Sequence, residues 1–353
     1  MDNKRKKDLF EIFKKILKKK NHYEISSILN ISTSTIKRWE SKKQIPFSYA
    51  FEIMKLQDKK IDYSRFSFSE KDQFFTPLKT AQYCFENSKQ IMNRYGDDIK
   101  NYVLIEPSAG NGVFFNLFPK ERRIGMDIEP KNSFINQKDF LEWKPENVEK
   151  KYIVIGNPPF GLRGQLALKF INHSTLFADY VCFILPQLFE SDGKGSPRKR
   201  VKGFHLVHSQ FLHTDFEDPN GKKIQVQCIF QVWSKFHKNP SLNLSALENK
   251  DVEIYSVSDG GTPSSTRNKK MHSQCHIFLP STVYGKENMK CFFTFQDLPK
   301  QRGYGLFFTS SIEKYIAICK KIDWSEIAFL STNSAYNLRT SKIIEAINKY
   351  SSL

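Results

Sequence analysis

The sequence predicts an α/β protein in which a central domain with a mainly parallel sheet is flanked by a small all-α unit and a small α+β unit. Three observations predict this. Between Phe74 and about Trp233, short apolar runs (Val103–Ile105, Ile124–Met126, Ile153–Ile155, Val181–Leu185, Val226–Val232) alternate with helix-like segments, the pattern of strands joined by crossover helices. Before that stretch the apolar residues follow only helical spacing. After it the text turns polar and rich in Gly and Ser around Gly260–Asn268, then offers aromatic strand candidates at His276–Leu279, Cys291–Phe295 and Tyr304–Phe308 and a final helix pattern over Ser341–Tyr350. The expected units are 1–58, 59–233 and 234–353, with a polar linker over Gln57–Glu70.

In the first unit, Leu9, Phe10, Phe13, Ile16 and Leu17 mark one helix. A second is expected over about Glu24–Leu29, with Asn30 as a turn residue. Ser32 or Thr33 caps a third that runs to Lys42. Pro46 closes that unit, and a fourth helix is expected over Tyr49–Leu56. The segment Glu24–Glu40 looks like a repressor-type helix-turn-helix. Thr33, Ser34, Lys37 and Arg38 would face a major groove, and Ile25, Ile28, Ile31, Ile36 and Trp39 would form the core.

The central domain carries the chemistry. The run Tyr102–Ile105 leads into Glu106-Pro107-Ser108-Ala109-Gly110-Asn111-Gly112. A glycine turn there lets a cofactor approach the backbone and exposes the N–H groups of a following helix. Asp127, at the end of the next run, suits ribose hydroxyls. After a third short strand, Asp139 can accept from a purine amine and Phe140 can cover its ring. The most informative segment is Asn157-Pro158-Pro159-Phe160, at the end of an apolar strand. Prolines fix a rigid turn and donate nothing, so its carbonyls face the crevice beyond the strand ends. An exocyclic aryl amine is a poor nucleophile. The Asn157 oxygen and Pro158 carbonyl can each take one N–H, draw the nitrogen toward a tetrahedral state and stabilise its developing charge. Phe160 can stack on the base.

As a set, these motifs resemble the gamma-class DNA adenine-N6 methyltransferases, over about Phe74–Trp233. The family's Asn-Pro-Pro-aromatic motif matches Asn157–Phe160, and its Phe-x-Thr-Pro motif matches Phe74–Pro77. The resemblance implies a Rossmann-like methyltransferase domain using S-adenosyl-L-methionine. It gives Thr76 and Pro77 the methionine end, Glu106, Pro107, Gly110 and Gly112 the loop, Asp127 the ribose, and Asp139 and Phe140 the adenine. It makes Phe216, ahead of the turn Glu217–Ile224, the aromatic that stacks on the flipped base. Asp127 stands where the family more often has glutamate, and residues 234–353 match no recognition domain that can be named. Double-stranded DNA is the implied partner, and the family admits a cognate restriction endonuclease.

The composition agrees with a polyanionic partner: the formal net charge is +18 over 353 residues. The basic run Lys194–Gly203, with Arg198, Lys199 and Arg200, is expected to clamp the DNA backbone as a mobile segment. The N-terminus lacks the apolar core of a secretion signal and no apolar run spans a bilayer, which predicts a soluble intracellular (cytoplasmic) protein. Six scattered cysteines without a Cys-x-x-Cys pair indicate neither a zinc site nor a redox motif. An RNA adenine methyltransferase, a protein glutamine methyltransferase, and a DNA-binding regulator with an inactive methyltransferase domain stand as alternatives.

Overall fold

The computed structural model describes residues 2–29, 31–46, 49–57, 74–161, 164–191, 196–217, 221, 223–225, 227–242, 248–330 and 335–352. Most of the expected linker, Asn30, Lys194, Gly195, Asp218–Asn220, Lys222 and Val226 lie outside them. The first unit contains α1 (Asp2–Leu17), α2 (His22–Leu29), α3 (Thr33–Lys42) and α4 (Ala50–Lys55). Its core joins Leu9, Phe13, Ile16, Ile25, Ile36, Trp39 and Ile53. The Trp39 ring meets Phe13 and Tyr49 edge-on, at 6.0 and 4.7 Å between centroids. Ser32 caps α3, its hydroxyl accepting from the Thr35 N–H at 3.2 Å. One expected core residue is corrected: Ile28 is exposed, because Ile25 and Leu29 occupy the buried stripe of so short a helix.

The central body opens with α5 (Leu78–Arg94). It continues through β1 (Tyr102–Glu106), β2 (Arg123–Asp127), β3 (Asn136–Gln137), β4 (Lys151–Gly156), α6 (Gln165–Ser174), β5 (Tyr180–Pro186), β6 (His205–Leu212), β7 (Asp215–Glu217), β8 (Lys223–Gln225) and β9 (Cys228–Ser234). Seven of these strands make one sheet in the order β3-β2-β1-β4-β5-β9-β6. It is parallel from β3 to β5, while β9 runs antiparallel between β5 and β6. Strands β4, β5 and β9 are buried almost throughout, as strands covered on both faces must be. One apolar cluster packs α5 on the sheet and the other packs α6. Chain order reverses beside β1, which opens a crevice at the carboxyl ends of β1 and β4.

One expectation is corrected here. No α-helix follows the glycine turn. The stretch to β2 holds only the 3-10 turns Phe115–Leu117 and Lys120–Arg122, because Phe114, Phe115 and Phe118 sink into the core and Pro119 breaks any longer helix. After Trp233, His237 Nε2 bonds Asp97 at 2.9 Å, and Asn239 Nδ2 donates to the Val207 carbonyl at 3.2 Å.

The last unit comprises β10 (Val252–Ser258), β11 (Ile277–Pro280), β12 (Thr282–Tyr284), β13 (Arg302–Phe308), α7 (Ile312–Lys321), α8 (Trp324–Ile327), β14 (Phe329–Leu330), β15 (Ala335–Asn337) and α9 (Thr340–Ser351). It forms two antiparallel three-stranded sheets, β10-β13-β11 and β12-β15-β14, over a core shared with the helices. Strands were expected at His276–Leu279 and Tyr304–Phe308 and a helix at Ser341–Tyr350, and all three form. The strand expected over Cys291–Phe295 does not. Only a single bridge, Phe278 to Phe292, forms there. Phe295 instead stacks on His272, with centroids 3.6 Å apart, and packs edge-on to Phe278, so the aromatic run reflects burial rather than pairing.

Candidate active site

A crevice open to solvent lies beyond β1, β2 and β4. Its walls bring together Thr76, Glu106, Pro107, Gly110, Asp127, Asp139, Phe140, Asn157 and Pro159, which come from five separate segments of the chain. Gly112, Pro77, Pro158 and Phe160 are not on its wall.

The loop after β1 is held by backbone bonds. Ala109 N–H donates to the Met126 carbonyl at 2.9 Å and Gly112 N–H to the Ala109 carbonyl at 2.6 Å. Gly110 and Gly112 have φ of +52° and +83°, left-handed values that favour glycine. A Cβ on Gly110 would stand 3.3 Å from the Phe75 ring, so the loop packs against that aromatic. Asp127 fastens the loop from below. One carboxylate oxygen accepts from Gly110 N–H and the other from Glu129 N–H, each at 2.8 Å. Each oxygen keeps a second lone pair for a ligand hydroxyl. Glu106 is buried and accepts from Phe115 N–H at 2.6 Å. Burial holds its carboxyl well above the usual carboxylate range, although the Phe115 and Phe114 N–H groups pull the other way.

Asp139 caps the 3-10 turn Phe140–Glu142 through the Leu141 N–H. Phe140 is buried and stacks on Phe170 at 5.1 Å, so it forms the crevice wall as part of the core. The polar wall holds the carboxylates of Asp127, Glu129 and Asp139, and the Glu106 carboxyl that burial pushes toward its neutral form, beside two ammonium groups, Lys55 and Lys138. No helix N-terminus stands behind the glycine loop. Such a wall disfavours a polyphosphate and suits a nucleoside bearing hydroxyls and positive charge.

Asn157 is the focal residue. Its Nδ2 donates to the Thr76 hydroxyl at 3.2 Å, and its carbonyl accepts from the Ser108 hydroxyl at 3.2 Å. Its Oδ1 is buried and has no hydrogen-bond partner among the described residues. A buried, unsatisfied acceptor costs roughly 1–3 kcal/mol, so its persistence at a ligand crevice points to a donor that arrives with the ligand. Phe75 exchanges both backbone bonds with Glu217, at 2.7 and 3.1 Å, which fixes Thr76 between β7 and Asn157.

The two aromatics expected to stack on a substrate ring lie elsewhere. Phe160 and Phe216 are 4% and 1% exposed, and both sit in the cluster beneath α5. The Phe160 carbonyl receives the Leu166 and Ala167 N–H groups, anchoring the start of α6. The basic run is also corrected. The Arg198 guanidinium donates to the Leu242 carbonyl, and Arg200 donates to Gln165 Oε1 at 2.9 Å, so both are tied to the body rather than mobile. Lys199 remains exposed. In the helical unit Thr33, Lys37 and Arg38 all lie on the exposed face of α3.

Sequence reasoning missed Phe75, Glu129, Lys138, Leu166, Phe170 and Lys55 on the crevice wall. Glu129 had a signal: it stands two residues from Asp127, where an extended chain returns to the same side. Lys55 and Phe170 had none, since other elements bring them in.

No protein-family model and no curated protein matches the chain. Solved structures similar to it include a candidate RNA methyltransferase of Pyrococcus horikoshii (20% identity over 47% of this chain and 87% of that one, TM-score 0.36). Another is magnesium protoporphyrin IX methyltransferase of Synechocystis PCC 6803 with bound S-adenosylmethionine (10%, 50% and 86%, 0.32). A third is the type IIL restriction-modification enzyme MmeI in complex with DNA (10%, 82% and 60%, 0.33). Likeness at these scores assigns no substrate or cofactor.

Proposed function

We propose that the chain transfers a methyl group from S-adenosyl-L-methionine to the N6 amine of an adenine in double-stranded DNA. The observation that carries this reading is the buried, unpartnered Oδ1 of Asn157 at the acid-lined crevice. Asn157 Oδ1 accepts one amine hydrogen, which localises the nitrogen lone pair and stabilises the charge that builds on it, and the motif gives the other hydrogen to the carbonyl of Pro158, a residue that stands off the crevice wall. Thr76 and Ser108 hold Asn157 in place from two sides. The cofactor, when bound, supplies an electrophilic methyl on a sulfonium. As the carbon–sulfur bond breaks and the nitrogen–carbon bond forms, the nitrogen's surplus proton leaves to water.

The residues fit this cofactor. Asp127 and Glu129 suit ribose hydroxyls, Asp139 suits an adenine amine, and Thr76 stands on the wall for the methionine end. The target base must leave the duplex to reach Asn157. The exposed Thr33, Lys37 and Arg38 of α3 and the net charge of +18 favour duplex DNA, with residues 1–58 and 234–353 gripping it around the 59–233 catalytic domain.

The test is a transfer assay with radiolabelled methyl donor on mixed-sequence genomic DNA and, separately, total RNA. Nucleoside digestion should return label as N6-methyldeoxyadenosine. Label on cytosine, or on RNA alone, would overturn the reading.

A further inference from the structure

At one end of the sheet β10-β13-β11, three chain segments converge: the loop after β10, the 3-10 turn Lys269–His272, and the start of β13. Ser258 pairs with Arg302 on one side and bridges Arg267 on the other. Adjacent strands are about 4.8 Å apart, so the two arginine backbones stand about 10 Å apart, near the roughly 12 Å width of a DNA major groove. Arg267, Lys269, Lys270, Lys300 and Arg302 are all exposed. None of them is in an ion pair among the described residues. Asp259 also stands at this end: its Oδ1 accepts from the Gly261 N–H at 3.0 Å and the Thr266 hydroxyl at 3.1 Å, and these bonds, with Lys269 and His272 nearby, hold its carboxyl below the usual carboxylate range.

The base of the cluster is rigid. His272 stacks on the buried Phe295 and bonds the Arg267 carbonyl at 3.1 Å. Asn268 Nδ2 donates to the Ser256 carbonyl at 2.9 Å. Asn268, Lys300 and Gln301 hold φ of +50°, +55° and +43°. Asp259 offsets part of this charge and the Lys300 ammonium lies 5.8 Å from the centre of the Tyr284 ring, but the five exposed cations leave this end of the sheet positive.

We infer that this end of the β10–β13 sheet, through Arg267, Lys269, Lys270, Lys300 and Arg302, is where the C-terminal unit grips the phosphate backbone of duplex DNA. The inference rests on duplex DNA being the substrate and names the face that holds it.

The experiment measures equilibrium binding of the full chain to a mixed-sequence DNA duplex, without cofactor, across a salt series. Two doubly substituted proteins lose the same charge: Lys269→Gln/Arg302→Gln at this end, and Lys250→Gln/Lys314→Gln at the opposite end. There Val252 pairs with Phe308, and Thr309 N–H donates to the Asp251 carbonyl. The first double should bind about tenfold more weakly at 0.15 M salt, with a salt slope shallower by about two. The second should stay within about twofold of the parent. Lys270→Gln/Lys300→Gln repeats the measurement at neighbouring positions. Equal losses in both ends' variants, or none, would overturn the inference, and so would duplex RNA competing as well as DNA. Because binding is read without methyl transfer, an inactive enzyme leaves this result interpretable.

Discussion

Asn157 shows what a single residue's chemistry can announce. The sequence offers the Asn-Pro-Pro turn after an apolar run as a candidate acceptor site, and the fold brings Asn157 to the crevice with its Oδ1 buried and, among the described residues, unpaired. The aromatic partners were not legible in the same way. Phe160 and Phe216 are equally good as base-stacking rings and as core residues, and only the packing of α5 over the sheet sends them inward. Their burial leaves Asn157 as the residue on which turnover depends most. Asn157→Ala removes the acceptor and the bond to Thr76 but leaves the Gly110–Asp127–Asp139 side of the crevice intact. Turnover should fall at least about a hundredfold, the scale of losing one electrostatic contact to a developing charge. Cofactor affinity, read by calorimetry, should stay within about threefold. A variant that keeps normal turnover would remove Asn157 from the chemistry.

Among the elements, β1, β4, β5 and β9 were readable because strands buried on both faces spell out continuous apolar runs, while the half-buried β2 was marked only by Ile124–Met126. The strand β6 was not, since it is an edge strand whose His205, His208, Ser209 and Gln210 break the apolar pattern. The glycine loop was readable, but its continuation was misread, because nothing local shows that the phenylalanines after Gly112 turn inward instead of extending a helix. The loop itself offers a controlled comparison. Gly110→Ala and Gly112→Ala each force an L residue into left-handed backbone, at roughly 1–2 kcal/mol. Gly110 lines the crevice and faces Phe75, whereas Gly112 faces Ile135 and Asn132, away from it. The two proteins should lose similar stability in thermal melts. Only Gly110→Ala should also lose about tenfold in cofactor affinity. A larger affinity loss at Gly112 would mean that the ligand sits on the other side of the loop.

At the scale of the whole molecule, the three parts follow changes of apolar period that a sequence displays, while the contacts between them do not. Lys169 Nζ donates to the Ile28 carbonyl at 3.3 Å, and Lys55, the last residue of α4, reaches the crevice wall. In the other direction, Leu330 N–H donates to Gln187 at 3.1 Å and Arg339 reaches Ser191 at 3.3 Å. These contacts, among the described residues, are polar, whereas each part owns a separate apolar cluster. Removing residues 1–57 should therefore leave a cooperative thermal transition and a cofactor affinity within about tenfold, the shift coming from Lys55. DNA affinity should drop and its salt slope should become shallower by about two, since Lys37 and Arg38 leave with the helical unit. A truncated chain with unchanged DNA binding at every salt concentration would separate that unit from substrate binding and leave it a different DNA target. A truncated chain that no longer melts cooperatively would show instead that the helices belong to the catalytic core, and that the polar contacts at Ile28 and Lys55 carry more of the fold than their number suggests.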